Sequence, residues 1–193
     1  MKIILASNSP RRKELLSGIG IPFEVKTLNG VDESYPDTLP KEQVAEYIAK
    51  EKASAYTVQA DELLITADTV VIVDGEIFGK PHDRADAQRM LHAISGKTHK
   101  VVTGVSLKTH DEQRNFSVAT EVTFKNLSQN EIDYYIDNYK PFDKAGAYGI
   151  QEWIGYVGVT SINGSYFNVM GLPIQRLYNE LATHFNISPT EGK

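Results

Sequence analysis

The 193-residue chain has no cysteine, which removes disulfide scaffolds, thiolate metal sites, iron–sulfur clusters and cysteine nucleophiles together. Its five histidines, His82, His92, His99, His110 and His184, include no close pair at ligand spacing, so a histidine-rich metal centre is not expected. Long apolar runs are missing too. Stretches such as Val70 to Val73 fall far short of the roughly 20 residues that a spanning helix needs. At the start of the chain the apolar stretch is only Ile3 to Ala6, followed by Arg11, Arg12 and Lys13, which does not read as an export signal; a cytoplasmic location is expected. An excess of positive charge is also lacking. The net charge is -5, so a protein that coats a nucleic-acid backbone is not expected, and neither a nucleic acid nor a membrane is an expected partner.

What is present describes an ordinary globular chain. With 41% hydrophobic and 23% charged residues, the composition lies far from the disordered regime and can bury a core. A single domain over 1–193 is expected, with its core at about 2–184 and a frayed tail from about Asn186.

Periodicity orders the elements. Ile3 to Ala6 reads as a strand, the polar Ser7-Asn8-Ser9-Pro10 as a turn, and Leu15, Leu16 and Ile19 as one face of a helix. Phe23 to Thr27 alternates like a second strand, and Asn29 to Pro40 reads as a mobile loop. Lys41 to about Gln59 has an amphipathic helical pattern. Leu63 to Val73 is the strongest strand signal, returning through Asp74-Gly75 into Glu76 to Phe78. A helix is expected from about Asp83 to Ser95-Gly96, then a long hairpin pairing Val101 to Leu107 with Phe116 to Phe124. Ser128 and Glu131 make a capping box for a helix reaching about Asn138. Asn163-Gly164-Ser165-Tyr166 reads as a turn, and Pro173 opens a last helix to His184. The order implies a mixed α/β fold.

Two places stand out chemically. Ser7-Asn8-Ser9-Pro10-Arg11-Arg12 feeds a helix N-terminus whose free N–H groups, positive dipole end and two arginines suit phosphate. The plainer reading is that Ser9 caps the helix, Pro10 sits in its first turn and the arginines are solvated. In Thr66-Ala67-Asp68-Thr69 a carboxylate interrupts an apolar strand, and burying it unpaired costs on the order of several kcal/mol. A metal, a lysine or an active-site water could meet it, and so could a purely structural basic partner. Lys52, Lys80 and the Asp143 to Gln151 stretch complete the set, although each lysine taken singly reads as solvated.

Six motifs occur in order: Ser7-x-Ser9-Pro10-Arg11-Arg12, Glu51-Lys52-Ala53, Ala67-Asp68-Thr69, Gly79-Lys80-Pro81, Asp143 through Gln151, and Asn168 through Pro173. Together they closely resemble the Maf family of nucleoside triphosphate pyrophosphatases, from Lys2 to about His184. The resemblance implies an elongated mixed sheet with flanking helices, forming two lobes around a central cleft as in inosine triphosphatases. It further implies metal-assisted water attack at the α-phosphorus of a nucleoside triphosphate, releasing pyrophosphate. By that resemblance Asp68 is the proton acceptor, Ser7, Arg12, Lys52 and Lys80 bind phosphate, and Asp68 with Glu33 holds Mg²⁺ or Mn²⁺. Arg11, Thr69 and Gln151 match the subgroup acting on dTTP and UTP; a sister subgroup resembling 7-methyl-GTP pyrophosphatases has Trp, Gln and Glu there. The Gln151 amide offers a donor and an acceptor to the adjacent C=O and N–H edge of uracil and thymine. A homodimer is implied, with Tyr134, Tyr135 and Tyr139 available for contact, although packing within one chain explains them equally well. Two rivals stand beside this reading: a pyrophosphatase for non-standard purine triphosphates, and a non-catalytic nucleotide-binding regulator of septum formation.

Overall fold

The computed structural model describes residues 1–190. Its elements follow in the order β1 (Lys2–Leu5), α1 (Pro10–Gly18), β2 (Phe23–Val25), α2 (Lys41–Ser54), β3 (Glu62–Val73), β4 (Glu76–Phe78) and α3 (Arg84–Ile94). After these come β5 (Thr98–Lys108), β6 (Gln113–Phe124), α4 (Gln129–Tyr139), α5 (Trp153–Gly158), β7 (Val159–Asn163), α6 (Tyr166–Met170) and α7 (Ile174–Phe185), with a 3₁₀ turn at Ala145–Ala147 before α5. The strands form one sheet in the order β2-β1-β3-β5-β6-β7, with β4 paired to β3 off that path. β1 lies parallel to both β2 and β3, whereas β3–β4 and β6–β7 are antiparallel. The fold is mixed α/β, as the alternation of apolar strands and amphipathic helices implies.

The chain divides into two compact units. The first comprises Met1–Asp68, Thr103–Val118 and the chain from Gly171 onward; the second comprises Thr69–Val102 and Ala119–Met170. In the first, Leu5, Leu16, Leu63 and Ile65 are fully enclosed, and Val44, Ile48 and Ala49 of α2 are buried as well. In the second, Leu91 and Ile94 of α3 and Ile132 and Ile136 of α4 are buried to within 1%. Their apolar stripes at helical spacing leave the sequence little choice about which face goes inward.

Several boundaries differ from the sequence expectation for identifiable reasons. α2 stops at Ser54 and not near Gln59, because the Lys108 ammonium donates to the carbonyls of Ala53 and Tyr56 at 3.0 and 2.9 Å, satisfying the helix end from a distant strand. β2 ends at Val25, two residues before Thr27. The hairpin of β5 and β6 is longer at both ends, closed by the Thr109 N–H donating to the Glu112 carbonyl at 2.9 Å. Where a simple turn was expected at Asn163 to Tyr166, the short helix α6 begins, its Asn168 N–H donating to Ser165 Oγ at 3.2 Å. The Ser128–Glu131 capping box is present.

The expected fraying from Asn186 falls partly on residues 191–193, which lie outside the described residues. Before that point the Ile187 N–H donates to the Leu181 carbonyl at 3.0 Å, and the Ser188 and Tyr178 hydroxyls lie 3.0 Å apart. Among the described residues no helix is long and apolar enough to cross a membrane.

Candidate active site

In the first unit the charged residues gather at the end of its stretch of β3. Thr66 and Asp68 share one face of that strand, since successive residues alternate, and Ala49 and Lys52 lie one turn apart on α2. The buried Thr66 hydroxyl donates to the Ala49 carbonyl at 2.6 Å. That bond sets strand against helix, and one step further along both elements the Lys52 ammonium donates to Asp68 Oδ1 at 2.8 Å. The same ammonium lies 2.8 Å from Glu33 Oε1, which joins the pair from the Asn29–Pro40 loop. Side-chain exposures of 17% for Lys52 and 14% for Asp68, against 55% for Glu33, separate an enclosed pair from an open third member.

Arg12 comes to the same place from α1. Its Nε donates to the Gly171 carbonyl at 2.7 Å and its Nη1 to the Ala67 carbonyl at 3.0 Å. Ala67 immediately precedes Asp68. Burial lowers the Arg12 pKa from its ordinary value, the Asp68 carboxylate opposes that shift, and Arg11 and Glu33 contribute in opposite directions to each other. An arginine keeps its charge through such shifts. Ser7 is buried in the turn after β1, its Oγ accepting the Ser9 N–H at 3.2 Å.

Both sequence readings of this turn have a share in it. Ser9 does cap α1, accepting the Arg12 N–H at 3.4 Å, with Pro10 opening the helix. The solvated-arginine reading fails for Arg12, which is held by two carbonyls. Of the expected first-unit residues, Arg12, Glu33, Lys52 and Asp68 converge, while Ser7 and Arg11 precede Arg12 in the chain.

Asp68 and Glu33 present hard oxygen donors around one cationic position. Mg²⁺ is commonly bound through one or two carboxylates together with substrate phosphates, keeping several waters. Among the described residues no group of three or more His, Cys, Asp or Glu side chains is gathered for a metal. The pair therefore fits a cation shared with phosphate and does not fit an all-protein cage.

The second unit holds the other expected residues. Thr69 is half-buried on β3, Lys80 is exposed after β4, and Gln151 is half-buried in the turn before α5. Gln151 Oε1 is shielded from solvent and accepts no hydrogen bond. Of the three tyrosines considered for surface contact, Tyr135 is fully buried, while Tyr134 and Tyr139 remain exposed. The tyrosine pattern is amphipathic, and Tyr135 falls on the inner face of α4 beside Ile132 and Ile136.

Sequence reasoning missed how two motifs act. The Asn168–Pro173 motif supplies the Gly171 carbonyl that holds Arg12 in the first unit. In the second unit the Asn168 amide bonds the Val101 carbonyl and Thr120 Oγ1 at 3.2 and 3.0 Å. It also missed that Lys144 is buried and paired with Asp143 and Glu152 at 2.9 and 3.1 Å. The position of Lys144 inside a glycine-rich motif was the available signal for that role.

A strand-end carboxylate gripped by a lysine, an arginine bonded to the carbonyl just before it and a second carboxylate on the same lysine are suited to chemistry on a phosphorylated substrate. The chain belongs to the Maf family: the Maf-like protein model matches residues 2–184, as the six motifs lead one to expect. It is 67% identical over 182 residues to the dTTP/UTP pyrophosphatase of Phocaeicola vulgatus, covering 93% of this chain and 94% of the relative. It is 56% identical over 186 residues to the dTTP/UTP pyrophosphatase of Parabacteroides distasonis, covering 95% and 96% respectively. A crystal structure of a nucleoside-triphosphatase / dITP/XTP pyrophosphatase from Mycobacterium abscessus is similar at TM-score 0.40 and 19% identity, over 66% of this chain and 76% of that one.

Proposed function

We propose that this protein is a nucleoside triphosphate pyrophosphatase that hydrolyses dTTP and UTP to the monophosphate and pyrophosphate. The observation that carries the reading is the enclosed Lys52–Asp68 pair, 2.8 Å apart, in a chain 67% identical to a dTTP/UTP pyrophosphatase.

In the proposed reaction a water oxygen forms a bond to the α-phosphorus, and the bond from that phosphorus to the bridging oxygen breaks. Pyrophosphate departs with the electron pair. Asp68 takes the proton of the attacking water on Oδ2, while Lys52 holds Oδ1 and so fixes the carboxylate plane. Arg12 and Lys52 place positive charge where the phosphate oxygens become more negative, and preorganised charge of this kind lowers the barrier without reorganisation. Ser7 and Lys80 are assigned to the same phosphate binding by the family pattern, and Arg11, Thr69 and Gln151 to the choice of nucleotide. Asp68 and Glu33 would hold Mg²⁺ or Mn²⁺, which when bound neutralises charge developing on the phosphate oxygens. Proton acceptance and metal binding compete for Asp68, and the more open Glu33 relieves that competition.

A homodimer is part of the proposal, supported by the exposed Tyr134, Tyr139 and Tyr156 in the second unit. A cytoplasmic location is supported by the absence of cysteine, and the lack of a nucleic-acid partner by the net charge of -5.

The test is pyrophosphate release from UTP, dTTP, CTP, ITP and dGTP with Mg²⁺ or Mn²⁺. UTP and dTTP are expected to be turned over fastest, with pyrophosphate and no orthophosphate as product. If ITP or dGTP were turned over about tenfold faster than both, a difference of about 1.4 kcal/mol in the barrier, the substrate assignment would be wrong.

A further inference from the structure

The turn that carries Gln151 is stapled at both ends by one buried hydroxyl. Gly149, Ile150, Gln151 and Glu152 form a tight turn in which the Glu152 N–H donates to the Gly149 carbonyl at 3.0 Å. The Gly149 N–H donates to Tyr135 Oη at 2.9 Å, and that hydroxyl donates to Glu152 Oε2 at 2.5 Å. The other carboxylate oxygen of Glu152 lies 3.1 Å from the buried Lys144 ammonium, which also pairs with Asp143 at 2.9 Å. Tyr135 shows no exposed surface, and Lys144 is 7% exposed.

Two glycines make the arrangement possible. A Cβ on Gly149 would lie 2.8 Å from Lys144 Cε and 3.2 Å from Glu152 Cδ, so a side chain there would push the lysine stem out of its present place. A Cβ on Gly155 would lie 1.8 Å from the Ile150 carbonyl oxygen, so the first turn of α5 can lie against the Gln151 turn only with glycine there. Within this frame Gln151 Oε1 is buried and accepts no hydrogen bond. Buried acceptors are normally satisfied, and an exception asks for an explanation. The turn is rigid and the acceptor unused, so rotation of the Gln151 side chain can offer that oxygen to a ligand N–H without breaking a protein hydrogen bond to it.

We propose that Glu152, held between Tyr135 and Lys144, is a positioning residue for base selection: it fixes the turn so that the Gln151 carboxamide meets the N–H and C=O edge of a uracil or thymine base. This inference rests on the dTTP/UTP reading above. Glu152 does not touch the reacting atoms. Its carboxylate, tied to a buried ammonium and a buried phenol, costs much to displace, so the turn that carries Gln151 is preorganised before substrate arrives. Cytosine carries an acceptor in place of that N–H, and a fixed Oε1 then faces a lone pair. A loosened turn lets the amide rotate and weakens that penalty.

The experiment compares steady-state kinetics on UTP and CTP for the parent enzyme and for Gln151→Ala, Glu152→Gln and Tyr135→Phe, with thermal unfolding of each variant. Glu152→Gln and Tyr135→Phe are expected to raise KM for UTP and to lower the UTP-over-CTP preference by about tenfold each, with kcat on UTP within about threefold, the scale of one or two lost hydrogen bonds to a charged group. Gln151→Ala should remove most of the preference. If Gln151→Ala abolishes the preference while the other two variants keep the parental KM and preference, the positioning role is wrong and the base-reading role stands. If Gln151→Ala itself leaves the preference unchanged, the base-reading assumption fails and the inference falls with it. A lowered melting temperature with parental preference, or a uniform loss of kcat on both nucleotides, shows a structural role only and also overturns the proposal.

Discussion

The Thr66 hydroxyl donates to the Ala49 carbonyl at 2.6 Å in the interior of the first unit, and two residues along the strand from it Asp68 accepts from Lys52. The contact works as a register pin between β3 and α2. Replacing Thr66 by Val keeps the shape and removes the donor. The expected cost is about 1 kcal/mol of stability, a fall of roughly 2–4 °C in melting temperature for a chain of this size. Pyrophosphate release from UTP should fall further than that loss of folded protein explains, because the ammonium loses its fixed approach to Asp68. Thr66→Ser should restore both; a Thr66→Val enzyme with parental kcat and KM would show that the pin does not serve the site.

Asp68→Asn removes the proton acceptor while keeping the side-chain volume. Turnover of UTP is expected to fall by about 10²–10⁴, the usual range for a positioned general base. Nucleotide binding, followed by calorimetry, should persist, since Lys52 and Arg12 remain. A fall of less than tenfold would move the proton-accepting role to another group.

The openness of Glu33 leads to a metal titration. Activity should disappear in excess chelator and return with Mg²⁺ or Mn²⁺. In Glu33→Gln the metal concentration for half-maximal activity should rise about tenfold or more, with kcat at saturating metal less affected, because one of two carboxylate donors is lost. An unchanged metal titration would remove Glu33 from the ligand set.

Acid stability should depend on His99. This residue is 2% exposed, with its Nε2 2.6 Å from the Tyr148 hydroxyl. Burial pushes its pKa down from 6.5 to about 4. The unfolded chain therefore binds the proton more readily than the folded one. His99 costs the fold nothing above pH 6.5, and stability is lost as pH falls from 6.5 toward 4, by up to about 3 kcal/mol. Urea unfolding across that range should show the slope in the parent and a flatter line in His99→Gln. Equal slopes would assign the acid sensitivity elsewhere.

Much of this was legible in the chain because it is local. The capping box at Ser128 and Glu131 needs only three residues of separation, and Pro10 after Ser9 marks a helix start on its own. An aspartate inside an apolar strand announces that it has a partner, because its burial would otherwise be too costly. Asp68 stands out on that ground, and a lysine is one of the partners it calls for, but nothing local says that the lysine is Lys52.

What could not be read are distances between residues far apart in sequence. Arg12 reads as a phosphate-binding or solvated arginine from its neighbours; only folding brings the Gly171 and Ala67 carbonyls to its guanidinium. Tyr135 reads as surface or core from its helix, and only the packed second unit turns its hydroxyl into a bridge between Gly149 and Glu152.

The sequence by itself determined the fold class, the family and the types of group available for phosphate chemistry, because periodicity, capping and motif order are properties of neighbours along the chain. The tertiary structure alone decided which of those groups meet. Lys52 could have been a solvated lysine, but the Thr66–Ala49 contact leaves it facing Asp68 and Glu33. Gln151 could have been one more polar turn residue, but two close-packed glycines and a buried tyrosine hold its turn and leave its oxygen unspent. Hydrogen bonds and close packing act over a few ångströms in space, whatever the separation in sequence, so their outcome is written only in the folded chain.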